Sequence, residues 1–200
     1  LDAQEGAFVY LGFERDTTQE EVEARIESGT LAEILHKVPV KKGDSVFVPA
    51  GQVHAIGKGV LILEIQQSSN ATYRLYDYNR MDKEGKLRPL HLEKAFANMS
   101  FKASHEKGKP MGDWQMYSGY KKRLLEQCKY FSVWDYHVED AVELVTDDST
   151  FRSLVFVSGD GCIETENNKM DFAPGDSFFI PAGRNVLRIS GACHFVLSHV

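Results

Sequence analysis

Residues Gly43–Gly51 read GDSVFVPAG, and residues Gly175–Gly183 read GDSFFIPAG. Seven of the nine positions are identical, more than turn chemistry alone would repeat. In each copy Gly-Asp makes one turn and Pro-Ala-Gly a second, and the alternating apolar residues between them make a short strand. The offset, 175 − 43 = 132 residues, suits the repeat of one small β domain. The copies part at their exits. Gln52-Val53-His54 follows the first and Arg184-Asn185-Val186 the second, so Val186 stands where His54 stood. The pattern predicts two related β domains, one with a metal-competent imidazole and one without.

Working outward from the first copy, Ala7–Phe13 reads as a strand. Thr17 and Thr18 followed by Glu20 and Glu21 read as a capped helix start with acids in its first turn. Val22, Ile26, Leu31, Ile34 and Leu35 follow at helical spacing, with Gly29-Thr30 as a break between two short helices and Thr30 as the cap of the second. A helical insert over 18–37 is expected, ending near Pro39. Ser45–Val48, Val60–Gln66 and Thr72–Tyr78 have strand composition, and Pro89 suits the first position of a short helix running toward Met99. Ser104–Gly112, polar and without periodicity, is the natural linker. After it, strands are expected at Tyr130–Val138, Phe151–Ser158, Cys162–Glu166, Ser177–Ile180, Val186–Ile189 and His194–Leu197. Short strands punctuated by turns at regular spacing predict an all-β sandwich or barrel.

Composition removes several function classes. The net charge is −6 with no concentrated Lys/Arg stripe, which argues against a nucleic-acid partner. No apolar run approaches the ~20 residues of a membrane helix, so no membrane partner is expected. Three cysteines without CxxC spacing argue against a disulfide framework and for a reducing, cytoplasmic setting.

Three places can carry chemistry. His54 is either a packed, hydrogen-bonded side chain or a metal ligand, and no neighbour in sequence offers an obvious second ligand. Arg74 lies among aromatics in TYRLYDY. Pointed inward it needs an anion, because an unpaired buried charge is costly; it is equally well read as a structural ion pair with Asp77 or Glu64. The stretch Glu64–Asn70, EIQQSSN, leaves an apolar strand for a polar turn just before Arg74 and can line a pocket mouth. Gly57-Lys58-Gly59 lacks the spacing of a phosphate cradle and reads as a hairpin turn.

The stretch VPAGQVHAIGKGVLILEIQQSSNATYRLYDYNR, Val48–Arg80, resembles the core of the bacterial type I mannose-6-phosphate isomerases of the short form. The helical insert before PVKKGD, the LRPLHLEKA segment and the second PAG repeat resemble that family too. The resemblance implies a cupin fold and a zinc-dependent aldose–ketose isomerase that interconverts mannose 6-phosphate and fructose 6-phosphate. It implies His54 as a metal ligand and Arg74 as the catalytic arginine. Glu64 and Asn70 sit close enough in sequence to line the pocket and are expected as substrate-binding residues. The other family ligands, a Gln and a His in a QVH-type motif and a following Glu, are expected upstream of Leu1.

These readings combine into one expectation. The fold is all-β, with two cupin-like (jelly-roll) barrels and short helical insertions. Residues 1–99 form a catalytic cupin domain truncated at its N-terminal side, and 109–200 a second, degenerate cupin domain without metal ligands. The cofactor is Zn2+ with one ligand in this chain, the partner is a small phosphosugar, and the chain alone is expected to be inactive. The alternatives are a non-catalytic cupin that binds a sugar or sugar phosphate, and an iron cupin oxygenase, which would need two His and a carboxylate in a facial arrangement.

Overall fold

The computed structural model describes residues 1–200. The chain divides into two compact units, Leu1–Gly108 and Lys109–Val200.

In the first unit, β1 (Asp2–Ala3) pairs with β5 (Val60–Leu61). A three-stranded antiparallel sheet runs in the order β3 (Leu35–Pro39), β2 (Phe8–Phe13), β4 (His54–Ile56). Between β2 and β3 lie α1 (Gln19–Glu27) and a 3-10 turn, Leu31–Ile34. Thr18 caps α1 by accepting a hydrogen bond from the Glu21 amide at 3.3 Å, and Glu20 and Glu21 face the positive helix end. Val22 and Ile26, one turn apart, are buried with Phe13, Leu31, Ile34 and Leu75. A smaller cluster of Val9, Leu11 and Val38 covers one face of the three-stranded sheet. Helix α2 (Leu92–Asn98) begins three residues after Pro89, and Ala95 joins the core.

Four expectations need correction here. The helical insert stops at Ile34. Residues 35–39 are strand β3, because Val38 and Leu35 gain both a ladder with β2 and a buried face. Thr30 precedes the 3-10 turn but makes no side-chain cap. Ser45–Val48 and Thr72–Tyr78 form no ladder, and of Val60–Gln66 only Val60–Leu61 is paired. Gly57–Gly59 joins strands of two different sheets, so it is no hairpin.

The second unit is a two-sheet antiparallel sandwich. One sheet has six strands in the order β13 (Ser177–Ile180), β10 (Arg152–Gly159), β15 (Cys193–His199), β8 (Ser132–Val138), β7 (Tyr120–Gln127), β6 (Gln115–Tyr117). The other has four, in the order β12 (Lys169–Phe172), β11 (Gly161–Glu164), β14 (Val186–Ser190), β9 (Ala141–Val145). Inward-facing residues of both sheets make a single core. Leu154, Phe156 and Phe195 of the larger sheet meet Ile163, Phe172, Leu187 and Ile189 of the smaller. The rings of Phe156 and Phe172 stack with centroids 3.7 Å apart.

The repeated sentence folds alike at its turn and differently at its strand. The Lys41 amide donates to Asp44 Oδ2 at 2.9 Å, and the Ala173 amide donates to Asp176 Oδ2 at 2.8 Å. Gly43 and Gly175 adopt φ of 86° and 96°, a region other L-residues rarely enter. Ser177–Ile180 then pairs with β10, whereas no strand is hydrogen-bonded along Ser45–Val48.

Candidate functional site

His54 opens β4, the edge strand of the three-stranded sheet. The register sets His54 opposite Leu11 and Ile56 opposite Val9. Directly opposed residues of an antiparallel pair share a face. The imidazole therefore lies on the side carrying the Val9–Leu11–Val38 cluster, at its exposed border. Its Nδ1 is 3.0 Å from the carbonyl oxygen of Gln52. A carbonyl only accepts, so that contact places the proton on Nδ1 and leaves the Nε2 lone pair available. Metal-bound histidines are typically held this way, their second ring nitrogen donating to a backbone carbonyl or carboxylate. His54 belongs to no group of three or more His, Cys, Asp or Glu donors.

Arg74 is mostly buried, its side chain 23% exposed. Its amide donates to His91 Nδ1 at 3.0 Å, and its carbonyl accepts from the His91 amide at 2.8 Å. Its Nη1 donates to the carbonyl oxygen of Pro89 at 3.0 Å, so the strand-like segment is tied to the entry of α2. The ion partner is Asp77, with Arg74 Nε 3.9 Å from Asp77 Oδ1; no pair forms with Glu64. Asp77 is buried and is shared by Arg80 and by Arg88 at 3.4 Å. Tyr78 and Asn79, both with φ near +53°, form a tight turn closed by the Arg80 amide on the Asp77 carbonyl at 3.0 Å. That turn folds Arg80 back onto the carboxylate. Arg80's hydrogen bond holds the Asp77 carboxyl below its ordinary range, against the upward push of burial. Three guanidinium groups around one carboxylate leave a local surplus of positive charge. Glu64 and Asn70 are exposed and outside any strand.

A second group of donors lies in Lys109–Val200. Asp135 and His137 are alternate residues of β8, and His194 on β15 is paired directly with His137. The donor atoms of the three lie within 4.8 Å of one another and could hold a metal ion. His194 Nε2 is 2.6 Å and His137 Nε2 3.4 Å from the same oxygen, Asp135 Oδ1. Arg123 of β7 takes the other oxygen, with Nε and Nη2 each 3.0 Å from Oδ2. Burial alone would raise the Asp135 carboxyl. The hydrogen bonds from His137, His194 and Arg123 outweigh it and hold the group well below the usual carboxylate range. The sequence signal for this group is Asp-x-His at 135–137. Its completion by His194 depends on strand pairing between residues 59 apart from Asp135, which local reading does not supply.

Comparison with known proteins places this geometry. Residues 120–200 match the family described as mannose-6-phosphate isomerase, cupin domain. Across all 200 residues the chain is 36% identical to mannose-6-phosphate isomerase ManA of Bacillus subtilis (strain 168), covering 62% of that protein. Identity to the mannose-6-phosphate isomerase of Streptococcus mutans is 31%, covering 61% of it. The crystal structure of the Bacillus subtilis mannose 6-phosphate isomerase superposes on the whole chain with a TM-score of 0.88 at 33% identity. The chain is a relative of the mannose-6-phosphate isomerases. It spans about three-fifths of the length of those it matches. The mostly β architecture is shared with the Bacillus structure, and residues 120–200 carry the cupin match. No helix is long and apolar enough to cross a membrane.

Proposed function

We propose that this chain belongs to a zinc-dependent aldose–ketose isomerase that interconverts mannose 6-phosphate and fructose 6-phosphate in the cytoplasm. The observation that carries the reading is similarity to mannose-6-phosphate isomerases along the entire chain, at 31–36% identity. Residues 1–99 are read as part of a catalytic cupin domain and 109–200 as a second cupin domain.

The chemistry suits the residues. Moving a carbonyl between C1 and C2 removes an α-proton and builds negative charge on an enediolate. Zinc, when bound, polarises the sugar carbonyl and offsets that charge. His54, with Nδ1 tied to Gln52, fits a zinc ligand presenting Nε2. One imidazole is fewer than the three protein ligands a catalytic zinc typically takes, so this chain by itself is read as inactive. Arg74, fixed through Pro89 and His91, keeps its Nη2 donors for a developing oxyanion or a phosphate. The positive surplus of Arg74, Arg80 and Arg88 over Asp77 favours a dianionic phosphosugar over a neutral hexose. Glu64 and Asn70 are assigned to the polar rim where the sugar hydroxyls are held.

The same single donor at His54 is what favours the second reading, a cupin that binds a sugar phosphate without turning it over. A coupled assay for fructose 6-phosphate formation separates the two. The natural full-length protein is expected to isomerise mannose 6-phosphate, to lose that activity to a chelator and to regain it with Zn2+. The 200-residue chain is expected to show none. Tight mannose 6-phosphate binding with no turnover in the full-length protein would establish the binding module instead.

A further inference from the structure

We propose that Asp135, His137 and His194 form a binding site for a divalent transition-metal ion of the zinc class, on the outer face of the six-stranded sheet. The face follows from the alternation of the strands. Trp134, Tyr136 and Val138 of β8, with Cys193, Phe195 and Leu197 of β15, pack into or against the core. The intervening Asp135, His137 and His194 point the other way. Side chains two apart on one strand, joined by the cross-strand partner of the second, bring three donors to one point on a rigid surface.

One separation already has the spacing of an ion's ligands, and the other is a hydrogen bond that must open by roughly 0.7 Å to admit one. With metal–ligand bonds of roughly 2.0–2.1 Å, neighbouring donors of a tetrahedral site lie about 3.3 Å apart. The two imidazole nitrogens stand 2.6 and 3.4 Å from Asp135 Oδ1. Both nitrogens lie within 3.4 Å of that one oxygen, whose carboxylate already carries Arg123 on its other side. The rings are stacked with centroids 4.1 Å apart, which brings both Nε2 atoms to the same side of the carboxylate. A bound cation would take a lone pair from each ring in place of the N–H contacts to Asp135.

The supporting groups are in place. Arg123 fixes the carboxylate orientation through Oδ2, as outer partners of metal ligands commonly do. Trp114 meets the His137 ring edge-on at 4.9 Å and lies under the Arg123 guanidinium at 4.4 Å, holding both. Two nitrogens and one carboxylate select Zn2+, Co2+ or Fe2+ over Ca2+ and Mg2+, which prefer all-oxygen shells. Three protein ligands on an outer face leave a coordination position for water. Because Asp135 shares its charge with Arg123, the site is expected to bind in the micromolar range rather than as a permanent structural zinc.

The test uses the 200-residue chain, stripped of metal and titrated with Co2+ and Zn2+ by calorimetry and visible absorption. Trp134→Phe leaves Trp114 as the lone indole, and its quenching by Co2+ reports an ion beside His137. One equivalent is expected to bind and to quench Trp114. His137→Asn and His194→Ala are each expected to weaken binding at least tenfold, while His54→Ala leaves this equivalent in place. Circular dichroism of the variants confirms that they fold. Three results would overturn the site: no binding at 100-fold excess of Zn2+ over protein, binding unchanged by both substitutions, or loss of the bound equivalent in His54→Ala.

Discussion

At the residue scale, Arg74 and His54 differ in how much structure backs them. Arg74 has its backbone clasped by His91 on both sides and its guanidinium tied to Pro89 and near Asp77. It is thus held in place by its own chain, the property that the proposed role as a donor to developing charge requires. Lysine keeps the charge and loses the planar fork. Under the isomerase activity proposed for the full-length protein, Arg74→Lys is therefore expected to lower kcat/KM by about 100-fold, about 2.7 kcal/mol, the scale of one removed oxyanion donor. The fall should lie mainly in kcat. Steady-state kinetics with mannose 6-phosphate decide it, and an unchanged kcat would place Arg74 outside the reaction. His54 stands out as a candidate in the sequence because the repeat sets it against Val186. The Asp135–His137–His194 group does not, because its members meet only once β8 and β15 pair.

At the element scale, the sequence carries strand propensity but not the partner. Ser177–Ile180 and Ser45–Val48 have nearly the same residues, yet only the former is laddered, because only it has β10 alongside. Propensity for strand is a fit to neighbours more than a property of one segment. This is why six of the ten strands after residue 109 were legible to within two residues, while Gln115–Tyr117, Tyr120–Gln127, Ala141–Val145 and Lys169–Phe172 were missed and Thr72–Tyr78 was overread. The charged pair across β7 and β8 gives an element-level prediction. Asp135 is buried and its folded carboxyl is held below the ordinary value of about 3.9. A carboxyl depressed on folding stabilises fully above that ordinary value, and the contribution is lost as pH falls toward the folded one. Metal-free Asp135→Asn is expected to be about 3 kcal/mol less stable near pH 7, the cost of leaving Arg123 without its partner. The gap to the unsubstituted protein should narrow steadily below about pH 4. Urea melts of both proteins from pH 7 to pH 2 measure it, and a gap constant with pH would show that Asp135 titrates as it does when unfolded.

At the scale of the whole molecule, the two units do not share the burden of folding in the same way. The core of Lys109–Val200 is drawn entirely from its own residues, with Phe156 wedged among Phe172, Phe178 and Phe195. All ten of its strands are paired within the unit. The first unit instead holds two smaller clusters and a long stretch, 62–80, without a ladder. A domain with one continuous core and a closed set of pairings meets the requirements for folding alone. Residues 109–200 expressed by themselves are therefore expected to unfold in one cooperative urea transition, with native near-ultraviolet dichroism from their packed rings. Within that fragment Phe156→Ala removes a ring that is 1% exposed, and is expected to cost about 3–5 kcal/mol, the range for large-to-small changes in closed cores. Residues 1–108 tested in the same way should melt over a broader range, because their unpaired strand-like segments add little to cooperativity. A fragment 109–200 that bound a hydrophobic dye and lacked near-ultraviolet signal would show that its core depends on residues outside it, even though every buried side chain named here lies within.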